Sequence, residues 1–274
     1  MRLARIITPA GPRPAVLDGD QWTVLTDLFD PVGSRTDERY PQAGTVLLAP
    51  CEPRVVLGMA HNSGPTDRAL PPQAFLKSSR TVIGPGAAIV VDPAKGAVMA
   101  EAELAVVIGK EARRLGPADV EDVILGYTVG NDVTQIGQIP FDDKLTQVKN
   151  GDGFTPLGPW IETDLGPVLD GEGGHDLATR IERGSQVESS SANLAWTIRE
   201  LLVYLTGYLT LGPGDVVLTG APGTSLPIAP GHRVAVDVEG LGVLVNPVVD
   251  ERARCVVVDH DPADPDAFRL VRSD

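Results

Sequence analysis

Cysteine, aromatic side chains and positive charge are all scarce in this chain. The two cysteines among 274 residues, Cys51 and Cys255, form no CxxC and no metal-ligand spacing. That excludes a thiolate zinc site or dithiol redox pair and favours a reducing compartment. No apolar run approaches the ~20 residues of a membrane helix, and the opening Met1-Arg-Leu-Ala-Arg-Ile-Ile-Thr-Pro-Ala lacks an apolar leader core. A cytoplasmic protein without membrane contact is expected. Lys and Arg number 23 against 37 Asp and Glu, a formal net charge of −14, which repels nucleic-acid backbones and anionic surfaces. The same field repels an anionic metabolite, so a carboxylate substrate requires a local cation.

Thirty glycines and 24 prolines are spread along the chain, implying many turns, short strands and few long helices. The length suits one large unit plus a small appendage. Residues 1–48 read as a small accessory β domain, with an Asp-Gly turn signal inside Val16-Leu-Asp-Gly-Asp-Gln-Trp-Thr-Val-Leu marking a hairpin. Proline density rises at Ala49-Pro-Cys-Glu-Pro, where the main unit, 49–274, begins. Within it the pattern predicts strands over 101–110 and 126–133, a short helix over 117–124, a longer one over 191–205, and an acidic surface tail after about Asp259.

The most informative run is Met99-Ala-Glu-Ala-Glu-Leu-Ala-Val-Val-Ile-Gly. On a strand, Glu101 and Glu103 share a face, roughly 6.5–7 Å apart at Cα, while Ala102, Leu104, Val106 and Ile108 cover the other. Two like charges side by side repel unless a cation lies between them or the strand end is solvated, and the spacing leaves both readings open. Asn131-Asp132 closes a second apolar strand in the same way. A third carboxylate there allows an all-oxygen site for Mg²⁺ or Mn²⁺.

Four runs in series then carry a resemblance: Glu101-x-Glu103-Leu-x-x-Val-Ile-Gly, Gly126-Tyr-Thr-Val-Gly-Asn-Asp132-Val-Thr, Lys149-x-x-Asp152-x-Phe154-x-Pro-Leu-Gly-Pro-Trp, and Gly214-Asp-Val-Val-Leu-Thr219-Gly-Ala-Pro-Gly. In order and spacing they are similar to the fumarylacetoacetate hydrolase superfamily, of acylpyruvate hydrolase and 2-hydroxyhepta-2,4-diene-1,7-dioate isomerase type, over about residues 54–248. The opening Arg2-Leu-Ala-Arg and Leu17-Asp-Gly-Asp resemble the family's N-terminal domain. The resemblance implies a mainly β (α+β) fold, a mixed β-sandwich roll with a small N-terminal β-rich domain, and a homodimer. It assigns Glu101, Glu103 and Asp132 to a Mg²⁺ or Mn²⁺ ion and Lys149 to a catalytic position beside it. Thr219, the Lys77 of Phe75-Leu-Lys77, and Gln138 are assigned to a small keto-acid substrate. Each has an ordinary reading too: Lys149 as a surface lysine, Thr219 as a turn residue, Lys77 as a solvated strand end.

Two departures qualify this. Hydrolases of the family carry Asn-Tyr-x-x-His-x-x-Glu, whose His-Glu pair activates water; the corresponding stretch here is Gly58-Met-Ala-His61-Asn-Ser-Gly64-Pro-Thr-Asp67. Gly64 takes the histidine position and Asp67 the glutamate position. His61, three residues early, is a candidate displaced base with Asp67 as its orienting carboxylate, or else a loop histidine. An Arg-Asp-x-x-Gln run after the metal aspartate is replaced by Gln135-Ile-Gly-Gln138-Ile, so the substrate's identity does not carry over. The expected function is metal-dependent hydrolysis of a C–C bond in a 2-oxo or β-dicarbonyl acid such as an acylpyruvate, through an enolate whose charge the ion offsets. The alternative is a decarboxylase, isomerase or tautomerase, which needs the enolate but no activated water. A non-catalytic member of the fold is the third reading.

Overall fold

The computed structural model describes residues 1–171, 174–254, 256–260 and 268–272. Strands β1 (Arg2–Thr8), β2 (Gly11–Asp18), β3 (Gln21–Leu25) and β4 (Arg35–Pro41) form an antiparallel meander. The expected hairpin joins β2 to β3, turning at Gly19 with φ +64, a conformation glycine adopts without Cβ strain. The chain continues through β5 (Val56–Ala60), β6 (Gln73–Lys77), β7 (Val82–Ile83), β8 (Ile89–Val91), β9 (Val98–Ile108) and β10 (Ile124–Asn131). Helix α1 (Thr146–Lys149) leads into β11 (Thr155–Glu162), β12 (Asp176–Ile181) and β13 (Gln186–Ser190). Helix α2 (Ile198–Thr206) precedes β14 (Val216–Leu218), β15 (Ser225–Ile228), β16 (Arg233–Val238) and β17 (Gly242–Asp250), and β18 (Val256–His260) and β19 (Phe268–Arg272) end the chain.

Two mixed sheets result, as expected. The larger runs β4-β3-β2-β1-β11-β10-β9-β14-β5-β6, with β15 added on β9 and β7 on β11; the smaller runs β13-β12-β16-β17-β8. Residues 1–48 share the larger sheet with the rest of the chain. β1 pairs with β11 at Arg2↔Glu162 and Leu3↔Ile161, and the N-terminal ammonium reaches Glu162 at 2.9 Å, so the sheet runs unbroken across the expected boundary.

β9 is the spine. Its β-branched run Val106-Val107-Ile108 favours an extended chain, and apolar side chains on both faces bury it. Even-numbered Ala102, Leu104, Val106 and Ile108 join a core with Leu201, Leu202, Val234 and Val236. Odd-numbered Ala105 and Val107 join another with Leu157, Ile161, Val216 and Leu218. The glutamates therefore occupy the end of a face that is otherwise apolar.

Three local expectations change. Residues 117–124 form two 3₁₀ turns, Pro117–Asp119 and Glu121–Val123, before β10 begins. The helix expected from 191 starts at Ile198 because Thr197 and Glu200 make a reciprocal capping box, Glu200 N to Thr197 Oγ1 at 3.2 Å and Thr197 N to Glu200 Oε2 at 2.9 Å. The tail contains the antiparallel pair β18–β19; Cys255 and residues 261–267 lie outside the described residues. Among the described residues no helix is long and apolar enough to cross a membrane.

Leu104, fully buried on β9, tests this arrangement. Leu104→Ala should lower stability by about 2–5 kcal/mol in urea unfolding, the usual cost of a core leucine truncation; a loss under ~1 kcal/mol would show that β9 is not the packing centre.

Candidate metal centre

β9 changes partner where its glutamates lie. Ala105–Val107 pair with β14, whereas Val98–Glu101 pair with β15, and residues 219–224 bridge the interval. Glu103, 1% exposed, lies at that break and accepts a 2.7 Å hydrogen bond from Gly220 N. On the other side, β10 pairs Gly130 with Glu103 and Asn131 with Ala102, which delivers Asp132, one residue beyond the strand, to the glutamates. Asn131 Oδ1 accepts from Glu101 N at 2.9 Å, and Asp132 N donates to Glu101 O at 3.0 Å. One carboxylate oxygen each from Glu101, Glu103 and Asp132 then lie within 4.8 Å of one another.

Two lysines close the cluster. Lys149, at the end of α1, places Nζ 2.5 Å from Asp132 Oδ2, 3.3 Å from Glu101 Oε2 and 2.7 Å from Thr134 Oγ1. Lys77, the last residue of β6, pairs with Asp132 Oδ1 and lies 3.3 Å from Val133 O. Phe75 and Lys77 share a face of β6 by strand alternation, and the Phe75 ring lies 4.7 Å from Lys149 Nζ.

Electrostatics follow from burial and pairing. Burial raises Asp132, but Lys149 and Lys77 outweigh it and hold the carboxyl below its ordinary value, so it is ionised. Burial lowers Lys149, but Asp132 and Glu101 outweigh it and keep the ammonium charged. Burial pulls Lys77 down against the opposing pull of Asp132. Glu103 goes the other way: burial, then the charge on Asp132, push it well above the ordinary 4.5, with Lys149 and the Gly220 amide opposing only in part. Two ammonium groups face three carboxylates, and the uncompensated charge falls on the deeply buried Glu103. An oxygen-only donor set whose buried Glu103 carboxyl has no lysine partner among the described residues fits a hard dication of the Mg²⁺ or Mn²⁺ kind.

The remaining expected site residues divide. Lys149 joins the cluster. Lys77 joins it too, but as a buried counter-charge to Asp132 with no solvent face. Thr219 is fully buried, and both its N–H and its hydroxyl donate to Leu104 O, at 3.1 and 2.8 Å; its side chain ties β14 to β9. His61 is exposed in the left-handed region, φ +53. Asp67 does not orient it: its Oδ2 accepts from Ser63 N at 2.8 Å and Gly64 N at 3.3 Å, capping the loop. Gln138 Nε2 donates to Lys95 O at 2.8 Å and lines, with Asp92, Lys95 and Glu251, a cleft of about 360 Å³ whose lining does not include the three carboxylates. His232 Nδ1 accepts from Ala229 N in a turn. Burial pushes the Cys51 thiol up to about 12, leaving it unreactive. Thr134 is a site residue that sequence pattern does not single out. Its hydroxyl donates to Glu101 Oε2 at 2.8 Å while accepting from Lys149, and its only sequence signal is its position two residues after Asp132.

A family model described as fumarylacetoacetate (FAA) hydrolase C-terminal matches residues 52–249, and one described as Rv2993c-like, N-terminal, matches residues 1–50. Protein Rv2993c of Mycobacterium tuberculosis is 34% identical over 266 residues, covering 91% of this chain and 98% of its own. The solved 5-carboxymethyl-2-hydroxymuconate delta-isomerase from Mycobacterium smegmatis is similar with a TM-score of 0.84 at 34% identity, over 92% of this chain and 100% of that one. Maleylpyruvate hydrolase from Sphingobium sp. SYK-6, solved with manganese (II) ion and pyruvate, gives 0.75 at 25% identity, over 91% and 99%.

Glu103 contributes to the pH response of the metal-free protein. A carboxyl raised in the fold keeps its proton after the unfolded chain has lost it, so its contribution is full below the ordinary 4.5 and declines as pH rises through the window above. Asp132 works oppositely: its contribution is present above the ordinary 3.8 and lost as pH falls through its lowered native value. In EDTA, Glu103→Gln should therefore melt higher than the wild type at pH 8, with the difference vanishing toward pH 4. Superimposable melting profiles across that range would mean that Glu103 ionises normally.

Proposed function

The chain belongs to the fumarylacetoacetate hydrolase family, and on that premise we propose that it is a divalent-metal-dependent enzyme acting on a small 2-oxo or β-dicarbonyl acid, best suited to proton transfer at the enol, that is, isomerisation or tautomerisation. One observation carries this reading: the carboxylates and Lys149 are assembled, whereas among the described residues the His61–Asp67 pair for activating water is not, since Asp67 is held by loop amides. This reverses the order of the two chemistries expected from sequence.

Glu101, Glu103 and Asp132 would hold a dication, which would supply Lewis-acid stabilisation of negative charge on a substrate oxygen. Lys149, whose ammonium contacts Asp132 and Glu101, is placed to offer a hydrogen bond and positive charge toward an acid's oxygens. Thr134 fixes its ammonium. Lys77, without a solvent face, compensates Asp132. Gly220 N orients Glu103 from the opposite side. A homodimer remains part of this proposal, on the family resemblance alone.

Hydrolysis of a C–C bond is the second reading, supported by the likeness to maleylpyruvate hydrolase, whose structure holds manganese and pyruvate. It needs a group that takes the proton of an attacking water, and His61, on the exposed loop after β5, is the candidate in this chain.

Calorimetric titration should give one Mg²⁺ or Mn²⁺ per chain, greatly weakened in Glu103→Gln. At 100 times the dissociation constant the ion should add about 2.7 kcal/mol of stability, which EDTA removes. Acylpyruvates, dienol diacids and oxaloacetate are then followed by enol absorbance and CO₂ release. Enol–keto exchange or CO₂ release should survive His61→Ala; hydrolysis that falls by roughly 10²-fold or more in that variant supports the second reading. Turnover indifferent to both EDTA and Glu101→Gln would sink the metal chemistry in either form.

A further inference from the structure

We infer that Asn62 is a positioning residue for Glu103, acting through the single peptide plane between Thr219 and Gly220. The loop after β5 departs from the family's water-activating pattern, yet it places one side chain, Asn62, at 0% exposure. Its Nδ2 donates to Thr219 O at 2.6 Å. The N–H of that same peptide, on Gly220, donates to Glu103 Oε2 at 2.7 Å. In a trans peptide the C=O and N–H leave opposite edges of one rigid plane, so fixing the carbonyl end fixes the direction in which the N–H holds the carboxylate. Serial hydrogen bonds also polarise one another in a low-dielectric interior.

Asn62 is itself over-determined. Its Oδ1 accepts from Trp196 N at 2.7 Å, and its Nδ2 also donates to Trp196 O at 3.2 Å, so the amide cannot flip without facing donor to donor. Gly220 has φ +110, and a Cβ there would come within 2.4 Å of Asn62 O; only glycine permits this approach. The path therefore runs from the segment before α2 through Asn62 and one peptide to a metal-site carboxylate. The rival role, a staple for the loop, is available to Arg68, whose guanidinium lies over the Trp196 ring at 4.5 Å and bonds both Glu200 oxygens at 2.8 and 3.0 Å.

The effect on metal affinity rests on the proposed function; the relay itself does not, and the test separates them. Asn62→Asp keeps the acceptor for Trp196 N but lacks the donor to Thr219 O. In metal-free protein, amide exchange at Gly220 should accelerate in Asn62→Asp and Asn62→Ala and stay at the wild-type rate in Arg68→Ala. By calorimetric titration, Mn²⁺ should bind about 10- to 100-fold more weakly to Asn62→Asp, the range for losing an outer-shell partner, although an added carboxylate alone would favour the cation. Thermal melting of each variant checks that it is folded. Wild-type Gly220 exchange in Asn62→Asp overturns the inference, and so does an Arg68→Ala that weakens Mn²⁺ equally, since Asn62 would then act only as a staple. A wild type that binds no Mn²⁺ refutes the metal reading, and accelerated Gly220 exchange would still uphold the relay.

Discussion

Repulsion among three carboxylates gathered in one small volume is the constraint that the rest of the centre answers. Each buried anion is costly unless paired, and this chain pairs them unequally. Asp132 receives a lysine on each oxygen, Glu101 shares Lys149 and the Thr134 hydroxyl, and Glu103 receives a single backbone amide. The imbalance is localised rather than spread, which makes Glu103 the group that gains most from a cation.

Arithmetic on charge connects this to the molecule as a whole. The chain carries −14, a poor attractant for any acid. With all five groups ionised, two lysines and three carboxylates would leave the centre one negative charge in excess, and a dication held there would reverse it to one positive. A site with that sign, enclosed by a field of the opposite sign, would draw a small organic anion to one point while the remaining surface repelled it.

Legibility in the sequence followed the range of the interaction. The two-residue period of a strand put Glu101 and Glu103 on one face without further information. Thr197-Ile-Arg-Glu200 is a capping-box pattern that fixes the start of α2, and it overrides the apolar spacing that extends back to Leu194. Lys77 was ambiguous because a charged residue at a strand end reads the same whether solvated or buried; the deciding partner, Asp132, is 55 positions away. Gln138 and Asp67 went elsewhere for local reasons, the carbonyl of Lys95 and the amides of Ser63 and Gly64, which a motif offset does not encode. Asn62 to Thr219 spans 157 positions, and no pattern in one chain announces such a bond.

The two stretches that match separate family models, 1–50 and 52–249, share one hydrogen-bonded sheet through the edge between β1 and β11. Two family-model matches thus do not correspond to two separate sheets. Any recombination that exchanged the first stretch for a relative's would have to preserve the Leu3↔Ile161 register and a residue able to meet the Glu162 carboxylate. A one-residue slip there would turn the incoming strands' apolar side outward, so the seam restricts which first stretches this sheet can accept.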